Sequence, residues 1–470
     1  MEEIAKQKKK TKSLLMIDMT KGNTLLLLLL FALPMFVGNV FQQLYNLADS
    51  VIVGKLVGSD ALAAVGATNS VNFLFFAICN GFGSGGGIIT SQAFGKGDEK
   101  EIRKSIVNTG YIMLLFPIVV GVTAFLLAKP ILLLMSTPAN ILNDSIIYMQ
   151  IMCVGLIFVA LYNFSSSMLR ALGDSVSPLF FLIFSCFLNI GLDIWFVAGF
   201  GWGVPGAGFA TILAQFISGI GCMGYALLAN PYFKFKKEDM KVDMSIMRSI
   251  VKLGVPLSFQ FSLIAISCMA LQRVVNSFDN VAIVSAFTAT SRIEQLIHQP
   301  YQTLSAALST YTGQNYGASK NDRVIKGYRT SLIVMLVFTV IMVPVMQFSG
   351  KPIMSLFVND ITVIEMGATA LRISSWFYIF LGAIYVIRGI LNGLGDAVFA
   401  VINGVVEVIG RFTVPILLTS ITFIGIWGIW WSVGVVWFLS GFTAWLRYLS
   451  FSKKTFKKTM PSGDENLMDD

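Results

Sequence analysis

The sequence predicts an all-α polytopic membrane protein with twelve transmembrane helices in two six-helix lobes. Three observations predict this fold: the composition, a series of twelve apolar spans, and an internal repeat. Of the 470 residues, 55% are hydrophobic and only 13% are charged, and the mean hydropathy is +0.75. A soluble domain carries about 25% charged residues. Most of this chain is therefore expected to lie in lipid.

The apolar spans have the length that a bilayer requires. A helix needs about 20 apolar residues to cross the hydrocarbon core, and twelve stretches of the chain come close to or exceed that length. They run over 24–53, 61–89, 106–128, 143–164, 178–198, 205–229, 250–272, 281–309, 327–349, 362–388, 398–418 and 424–450.

The basic residues fall mainly on one side of these spans. With the N-terminus inside, most of the 34 Lys and Arg lie in segments that face the cytoplasm, as the positive-inside rule requires. We therefore expect a multi-pass protein of the cell (inner) membrane with both termini cytoplasmic. Its net charge of +9 would face anionic lipid and not nucleic acid. The predicted segments are a basic tail (1–23), an N-terminal lobe (24–229), a linker (230–249), a C-terminal lobe (250–450) and a C-terminal tail (451–470).

An internal repeat relates the two halves. A shift of 222 residues carries Lys129-Pro130-Ile131 onto Lys351-Pro352-Ile353, and Leu172-Gly173-Asp174 onto Leu394-Gly395-Asp396. Six spans per half is an even number, so both halves have the same orientation. A pseudo-two-fold axis along the membrane normal then relates them, as in parallel-repeat transporters. The repeat favours a secondary transporter over a channel or a structural membrane protein.

Signals for enzymatic or metal chemistry are weak. The five cysteines all lie in apolar runs and form no CxxC pair, which indicates neither a disulfide framework nor a zinc site. The glycine-rich stretch 81–87 lacks a preceding strand and the Lys-Ser/Thr ending of a phosphate loop. We therefore expect no enzyme activity, no cofactor, and no metal other than a coupling ion.

Two acids lie deep within the first half without a basic partner in its spans, Asp49 and Asp193. A carboxylate in hydrocarbon costs about 2.5–3.5 kcal/mol on insertion scales, so such residues are usually functional. Spans 1 and 5 both run outward and place the two acids at a similar depth. Asn189 lies one turn before Asp193 on the same helix face. Thr211 and Tyr148 fall at the same depth on two further spans.

These five polar residues have three interpretations. Two neighbouring carboxylates cannot both ionise cheaply in a low dielectric, which favours a shared proton. Alternatively, the oxygens of Asp49, Asn189, Asp193 and Thr211 make a cage for a small cation such as sodium. In the third interpretation the acids face a loop or water at the outer interface. We rank the proton first and sodium second.

The second half carries a different set of charges within its spans: Arg292, Glu294, Arg372, Glu407 and Arg411. Glu407 and Arg411 are four residues apart, and this spacing predicts an ion pair on one helix. His298, the only histidine, lies one turn from Glu294. We interpret these charges mainly as structural pairs. A role in transport for Glu294, His298, Glu407 and Arg411 is the second interpretation.

Several short motifs occur in a fixed order and spacing. They are Gln42–Asp49 (QQLYNLAD), Gln92–Gly95 with its counterpart Gln314–Gly317, Arg170–Asp174, Leu188–Asp193 (LNIGLD) and Gly203–Gly208. Through these motifs the chain resembles the multidrug and toxic compound extrusion (MATE) family over essentially all twelve spans. The resemblance is to the branch that has its cation site in the N-terminal lobe.

The resemblance implies a function and a site. It implies export of organic cations or other amphipathic compounds in exchange for protons or sodium by alternating access. Pro34 would lie at a bend in the first helix. Where some relatives have a proline after the acid of span 5, this chain has Ile194, which leaves the local helix geometry open. The implied cation site consists of Asp49, Asn189, Asp193 and Thr211, with Tyr148 adjacent.

Two other functions stay open at this point. One is a lipid-linked oligosaccharide flippase of the same superfamily, for which Arg292, Arg372 and Arg411 could provide cations around a pyrophosphate. The acids of the N-terminal lobe argue against it. The other is an exporter of one specific metabolite. In each case the partners are small amphipathic molecules and the bilayer, and we expect a monomer.

Overall fold

The structure is a computed structural model that describes residues 15–135 and 137–456. These residues are almost entirely helical, with no β-strand among them. The lysines of the basic tail from Lys6 to Lys12, and the last part of the C-terminal tail, lie outside the described residues. The all-α, polytopic fold class predicted from the sequence is confirmed.

The chain divides into two compact units. The N-terminal unit comprises Met1–Lys21 and Leu29–Ser262, and the C-terminal unit comprises Gly22–Leu28 and Leu263–Asp470. Among the described residues, the first seven α-helices are α1 (Thr24–Leu56), α2 (Ser59–Lys96), α3 (Glu99–Leu126), α4 (Ala128–Leu134), α5 (Ala139–Ala171), α6 (Val176–Asp193) and α7 (Gly203–Ala229). The next seven are α8 (Met244–Asn276), α9 (Val281–Gly317), α10 (Asn321–Ser355), α11 (Ile361–Ser375), α12 (Tyr378–Leu394), α13 (Ala397–Thr419) and α14 (Gly428–Phe456).

The helix starts follow the internal repeat. A shift of 222 carries residues 59, 99 and 139, where α2, α3 and α5 begin, onto residues 281, 321 and 361, where α9, α10 and α11 begin. Side-chain caps fix several of these starts. Asp98 accepts hydrogen bonds from the first backbone N–H groups of α3, and Asp360 does the same for α11. The two caps are not equivalent in the repeat, because the shift carries Asp98 onto Lys320, which precedes α10 without a side-chain cap.

 

The two halves differ in where their helices break. Helices α11 and α12 together fill the single predicted span 362–388, but they meet at an angle of 53°. The Arg372 carbonyl at this break accepts hydrogen bonds from Gln347 Nε2 at 2.9 Å and from Ser375 Oγ at 2.8 Å. Side-chain donors of this kind compete with the helical backbone hydrogen bonds. The equivalent helix α5 is continuous.

Within the described residues, ten helices are long and apolar enough to cross a membrane, and the bent pair of α11 and α12, counted as one span, makes an eleventh. The one predicted span that is not among these is 281–309, which corresponds to α9. This helix has 37 residues, which is sufficient length, but it carries Arg292, Glu294 and His298 in its interior. These polar residues make α9 less hydrophobic than the other spanning helices.

A glycine-rich face of α2 allows close helix packing within the N-terminal unit. A Cβ atom on Gly81 would lie 2.1 Å from Ser258 Oγ, and one on Gly85 would lie 2.8 Å from the backbone nitrogen of Gly254. Both contacts are made with the first half of α8. Small residues permit such approaches between helices in lipid, so the first half of α8 packs as part of the N-terminal unit.

The linker between the halves is bonded to the start of α3. Arg103 Nε lies 3.0 Å from Asp239 Oδ2, and Lys104 Nζ lies 3.0 Å from Asp243 Oδ2. The hydrogen bond from Lys104 lowers the pKa of Asp243 below its ordinary value. Tyr111 also donates its hydroxyl to the Met240 carbonyl at 2.7 Å. The linker is thus an ordered part of the N-terminal unit.

Candidate functional site

The acids predicted from the sequence come from α1 and α6, which pack against each other. Phe41 on α1 and Phe187 on α6 have ring centroids 6.2 Å apart. Asp49 lies in the last part of α1, and Asp193 is the last residue of α6. This packing brings the two carboxyl groups within hydrogen-bonding reach of each other. Asp49 and Asp193, which the sequence placed at a similar depth, therefore lie next to each other in the structure.

The Asp193 side chain is fully buried, with 0% of its surface exposed, whereas Asp49 is half-buried. One carboxylate oxygen of each residue, Oδ1, has no hydrogen-bond partner among the described residues. Neither acid forms an ion pair with a basic residue in that part of the chain. A buried charge without a partner is costly. The pair is thus suited to hold a proton or a cation.

The helix changes form directly after Asp193. Residues Ile194–Gly199 continue α6 as a π-helix. Single-turn π segments are frequent at functional sites. Ile194, the position where the resemblance left the geometry open, is the first residue of this segment.

Asn189 and Thr211 connect the acid pair to α7. With its amide oriented to satisfy both groups, Asn189 donates its side-chain nitrogen to Asp193 Oδ2 at 2.8 Å and accepts from the Thr211 backbone N–H at 3.2 Å. The opposite orientation would give only a 3.5 Å contact with Thr211 Oγ1. Thr211 Oγ1 also donates to the Ala207 carbonyl at 3.0 Å. Both residues are buried.

Two tyrosines complete the site. Tyr148, predicted from its depth, is buried and lies near both acids. Tyr45 was not predicted, although it is hydrogen-bonded to the Thr211 side chain and lies beside Asp49 and Asp193. Its spacing of four residues before Asp49 places both on one face of α1, and this signal could have identified it.

A small polar cavity adjoins the site. Its volume is about 10 Å³, which is close to the minimum needed for one water molecule. Gln42 and Gln215 contribute amides that the sequence analysis did not assign to the site. The lining residues are Gln42, Tyr45, Leu182, Ser185, Cys186, Asn189, Thr211, Ala214 and Gln215.

Pro34 lies inside α1, fifteen residues before Asp49, which corresponds to about 22 Å along the axis. Helix α1 is continuous from Thr24 to Leu56 around it. A proline in a helix interior removes one backbone hydrogen bond. Pro34 is therefore not part of the polar site, and its predicted role at a bend stays a prediction.

The predicted ion pair of the C-terminal unit has a different partner. Glu407 Oε1 lies 3.2 Å from Arg388 Nη2 on α12, so the predicted pair with Arg411 is wrong. Arg388 also donates to Asn403 Oδ1, and Asn403 donates to Ser440 Oγ at 2.7 Å. Arg388 is buried within α12.

Arg411, Glu294 and His298 lie together near this pair. Arg411 Nη1 donates to Cys268 Sγ at 3.0 Å, and Arg411 is also close to Glu294 and Glu407. His298 lies between two aromatic rings, those of Tyr385 and Trp437, at centroid distances of 6.3 and 5.5 Å.

The other two arginines of this half do not join that group. Arg292 and Arg372 are exposed, and Arg372 Nε donates to the Gln347 carbonyl at 3.0 Å. The three arginines that a pyrophosphate site would require therefore do not share one buried environment.

The MatE family model matches the chain twice, at residues 34–195 and 256–424. The two matches begin 222 residues apart, which is the shift of the internal repeat. The matches cover more than half of the chain.

Proteins with related sequences and structures agree with this match. The chain is 30% identical over 439 residues to the probable multidrug resistance protein YpnP of Bacillus subtilis, covering 92% of this chain and 96% of that protein. It is 24% identical over 414 residues to the probable multidrug resistance protein NorM of Thermotoga maritima, covering 86% and 87%. A crystal structure of a MATE in the straight conformation superposes with a TM-score of 0.88 at 21% identity, covering 95% and 100%.

The structural likeness, at that identity, concerns the fold. The sequence match and the relative at 30% identity concern the family, whose members are transporters and not enzymes. The repeated helix starts, the shift of 222 residues and the two family matches agree. The chain belongs to the MatE family.

Proposed function

We propose that this protein is a multidrug efflux transporter that exports organic cations and other amphipathic compounds in exchange for protons. The observation that carries the proposal is the contact between Asp49 and Asp193 in a site without basic residues. The relatives named as multidrug resistance proteins support the general function. The acid pair supports the coupling ion.

The pair can couple two ligands through its charge. Two carboxyl groups in contact share one proton more easily than they ionise together. A cationic substrate favours the doubly ionised pair, while a proton favours the neutralised pair. Because the two ligands prefer different charge states, each lowers the affinity for the other. Antiport then requires no direct contact between substrate and proton.

The neighbouring residues hold the pair in place. Asn189 donates to Asp193 at 2.8 Å, which orients this carboxylate and leaves its other oxygen free for a proton. Tyr45 and Thr211 continue the hydrogen-bonded chain to α1 and α7. A change in the charge of the pair therefore reaches three helices.

Sodium is the second candidate for the coupling ion. Asp49, Asn189, Asp193 and Thr211 would contribute two carboxylates, one amide oxygen and one hydroxyl. The two unpartnered Oδ1 atoms are available to a cation. The Asn189 oxygen, however, accepts from the Thr211 N–H. The proton needs only one oxygen, so it fits the observed bonds with less rearrangement.

The location follows from the charge distribution. We propose a monomer in the cell membrane, with both termini cytoplasmic and the two lobes alternating in access. A flippase for lipid-linked oligosaccharides is disfavoured because the acids of the N-terminal unit, Asp49 and Asp193, would repel a pyrophosphate. An exporter of one specific metabolite stays an alternative that substrate screening would decide.

The test is efflux of rhodamine 6G, a cationic dye, from proteoliposomes that contain the purified full-length protein. One arm imposes a proton gradient without sodium, and the other imposes a sodium gradient at fixed pH. We expect efflux in the proton arm. Efflux that follows sodium and ignores the proton gradient would overturn the proton assignment, and an absence of efflux in both arms would overturn the export function.

A further inference from the structure

The repeat places a charge of opposite sign where the N-terminal unit has its acids. The shift of 222 carries Asn189 onto Arg411, while Asp49 falls on Leu271 and Asp193 on Pro415. The C-terminal position equivalent to the acid site therefore contains an arginine and no acid of its own.

The structure shows Arg411 reaching across from α13 to α8, the helices equivalent to α6 and α1. Its hydrogen bond goes to the thiol of Cys268 at 3.0 Å, and a thiol is a weak acceptor. The Arg411 Nε atom is buried and has no partner among the described residues. The guanidinium thus retains hydrogen-bonding capacity for an oxyanion, which it can bind with two donors.

A carboxylate with an oxygen that accepts no hydrogen bond lies near this arginine. Glu294 is close to Arg411, but no ion pair joins them within the described part of the chain. Glu294 Oε1 has no hydrogen-bond partner there, nor does the hydroxyl of Tyr378, a fully buried residue close to Glu294. Buried polar atoms are normally satisfied, so these three groups can still bind polar groups of a ligand.

The charge balance indicates what kind of ligand would fit. Arg388 and Glu407 neutralise each other at 3.2 Å, which leaves one positive and one negative group, Arg411 and Glu294. An anion or a cation alone would leave a net charge in a low dielectric, which is costly. A zwitterion would satisfy both groups and leave the net charge at zero.

Aromatic rings border the same cluster. His298 contacts both Tyr385 and Trp437, and Arg388 lies over the Tyr385 ring at 5.1 Å from its centroid. Aromatic faces suit the planar body of an amphipathic compound.

We propose that the C-terminal unit contains a subsite for zwitterionic amphipathic compounds, with Arg411 binding the carboxylate of the compound and Glu294 binding its cationic group. This subsite rests on the proposed export function and extends its substrates beyond simple cations. It uses a different unit from the acid pair.

The test compares two dyes that differ in one group. Rhodamine 110 has a free carboxylate and a delocalised cation, and rhodamine 123 is its methyl ester. Binding of each to the purified full-length protein is measured by fluorescence anisotropy at neutral pH. Arg411→Gln should weaken rhodamine 110 binding about tenfold, the loss of one charge-assisted contact, and change rhodamine 123 binding less than about twofold. Arg411→Lys should restore part of the loss.

Arg292→Gln is the matched control, since Arg292 is an exposed arginine of the same unit, and it should alter neither affinity. Thermal melting of each variant separates a lost contact from a lost fold. Equal weakening of both dyes by Arg411→Gln, no effect on either, or no binding of rhodamine 110 to the parent protein would overturn the subsite. The measurement uses no ion gradient, so a failure of proton coupling would leave its result unchanged.

Discussion

Asp193 is the residue on which the coupling proposal depends most strongly. It is fully buried, it contacts Asp49, and its remaining bond is the one from Asn189. An asparagine at position 193 has nearly the same size as the aspartate but has no titratable group. Substitution by asparagine is therefore a test of charge and not of packing.

We predict that Asp49→Asn and Asp193→Asn each abolish gradient-driven dye efflux while the protein is still expressed and folded. Each variant keeps one carboxyl group but loses the pair whose shared proton is exchanged for the substrate in the proposed mechanism. Asp60→Asn, which changes an exposed acid at the start of α2, should transport normally. If Asp193→Asn transports like the parent and Glu294→Gln does not, the coupling site lies in the other unit.

Glu407→Gln should lower the thermal stability of the protein and leave the coupling of efflux to protons unchanged. The pair with Arg388 is buried, with side-chain exposures of 10% for Arg388 and 8% for Glu407, and an unpaired buried charge costs about 3–5 kcal/mol. The readout is the thermal midpoint in detergent. Glu365→Gln removes an exposed partner of Lys351 and should leave the midpoint unchanged. Equal midpoints for both variants would contradict the structural role of Glu407.

Sequence spacing predicted which polar residues of the N-terminal unit lie together better than it predicted the ion pairs of the C-terminal unit. Asp49, Asn189, Asp193, Thr211 and Tyr148 could be matched by depth because helix direction is visible in the chain. The partner of Glu407 could not be predicted in this way, because Arg388 contacts it from another helix. An i, i+4 rule detects only neighbours on the same helix.

At the scale of elements, the glycines of α2 determine how closely its neighbours approach. A Cβ on Gly81 would meet Ser258 at 2.1 Å, whereas one on Gly66 of the same helix would meet nothing within 4 Å. The two positions therefore offer a matched comparison within one helix.

Gly81→Ala should destabilise the protein by about 1–3 kcal/mol, the usual cost of overpacking, and Gly66→Ala should have little effect or stabilise slightly. The measurement is thermal melting of the purified variants. A Gly81→Ala variant as stable as the parent would show that α8 does not approach α2 this closely.

The helix boundaries followed from the apolar spans to within several residues in most cases. The break between α11 and α12 and the π segment after Asp193 did not. Both depend on local hydrogen bonds, such as the one from Gln347 to the Arg372 carbonyl. A hydropathy pattern does not detect such bonds. The polar helix α9 was predicted as the apolar span 281–309, and the helix continues to Gly317.

At the scale of the whole molecule, the orientation rests on the distribution of basic residues. Single cysteines placed at Lys129 or Lys351 in a cysteine-free background should react with an impermeant maleimide on intact cells. Cysteines at Lys100 or Lys236 should react only after the cells are opened. Labelling of position 236 from outside would contradict the proposed orientation.

The two halves share one arrangement of helices but carry different charges. The N-terminal unit has an acid pair that forms no ion pair with a basic residue among the described residues, while the C-terminal unit combines Arg388, Arg411, Glu294 and Glu407. This difference is the basis for assigning coupling to one unit and additional substrate recognition to the other.

The central claim is that a cationic substrate and a proton compete for the charge state of the Asp49 and Asp193 pair. The most direct measurement is proton release when rhodamine 6G is added to the purified protein in weakly buffered solution. The claim predicts release of up to about one proton per bound dye, and none from Asp193→Asn. Dye binding to the parent protein without proton release, or equal release from Asp193→Asn, would contradict it.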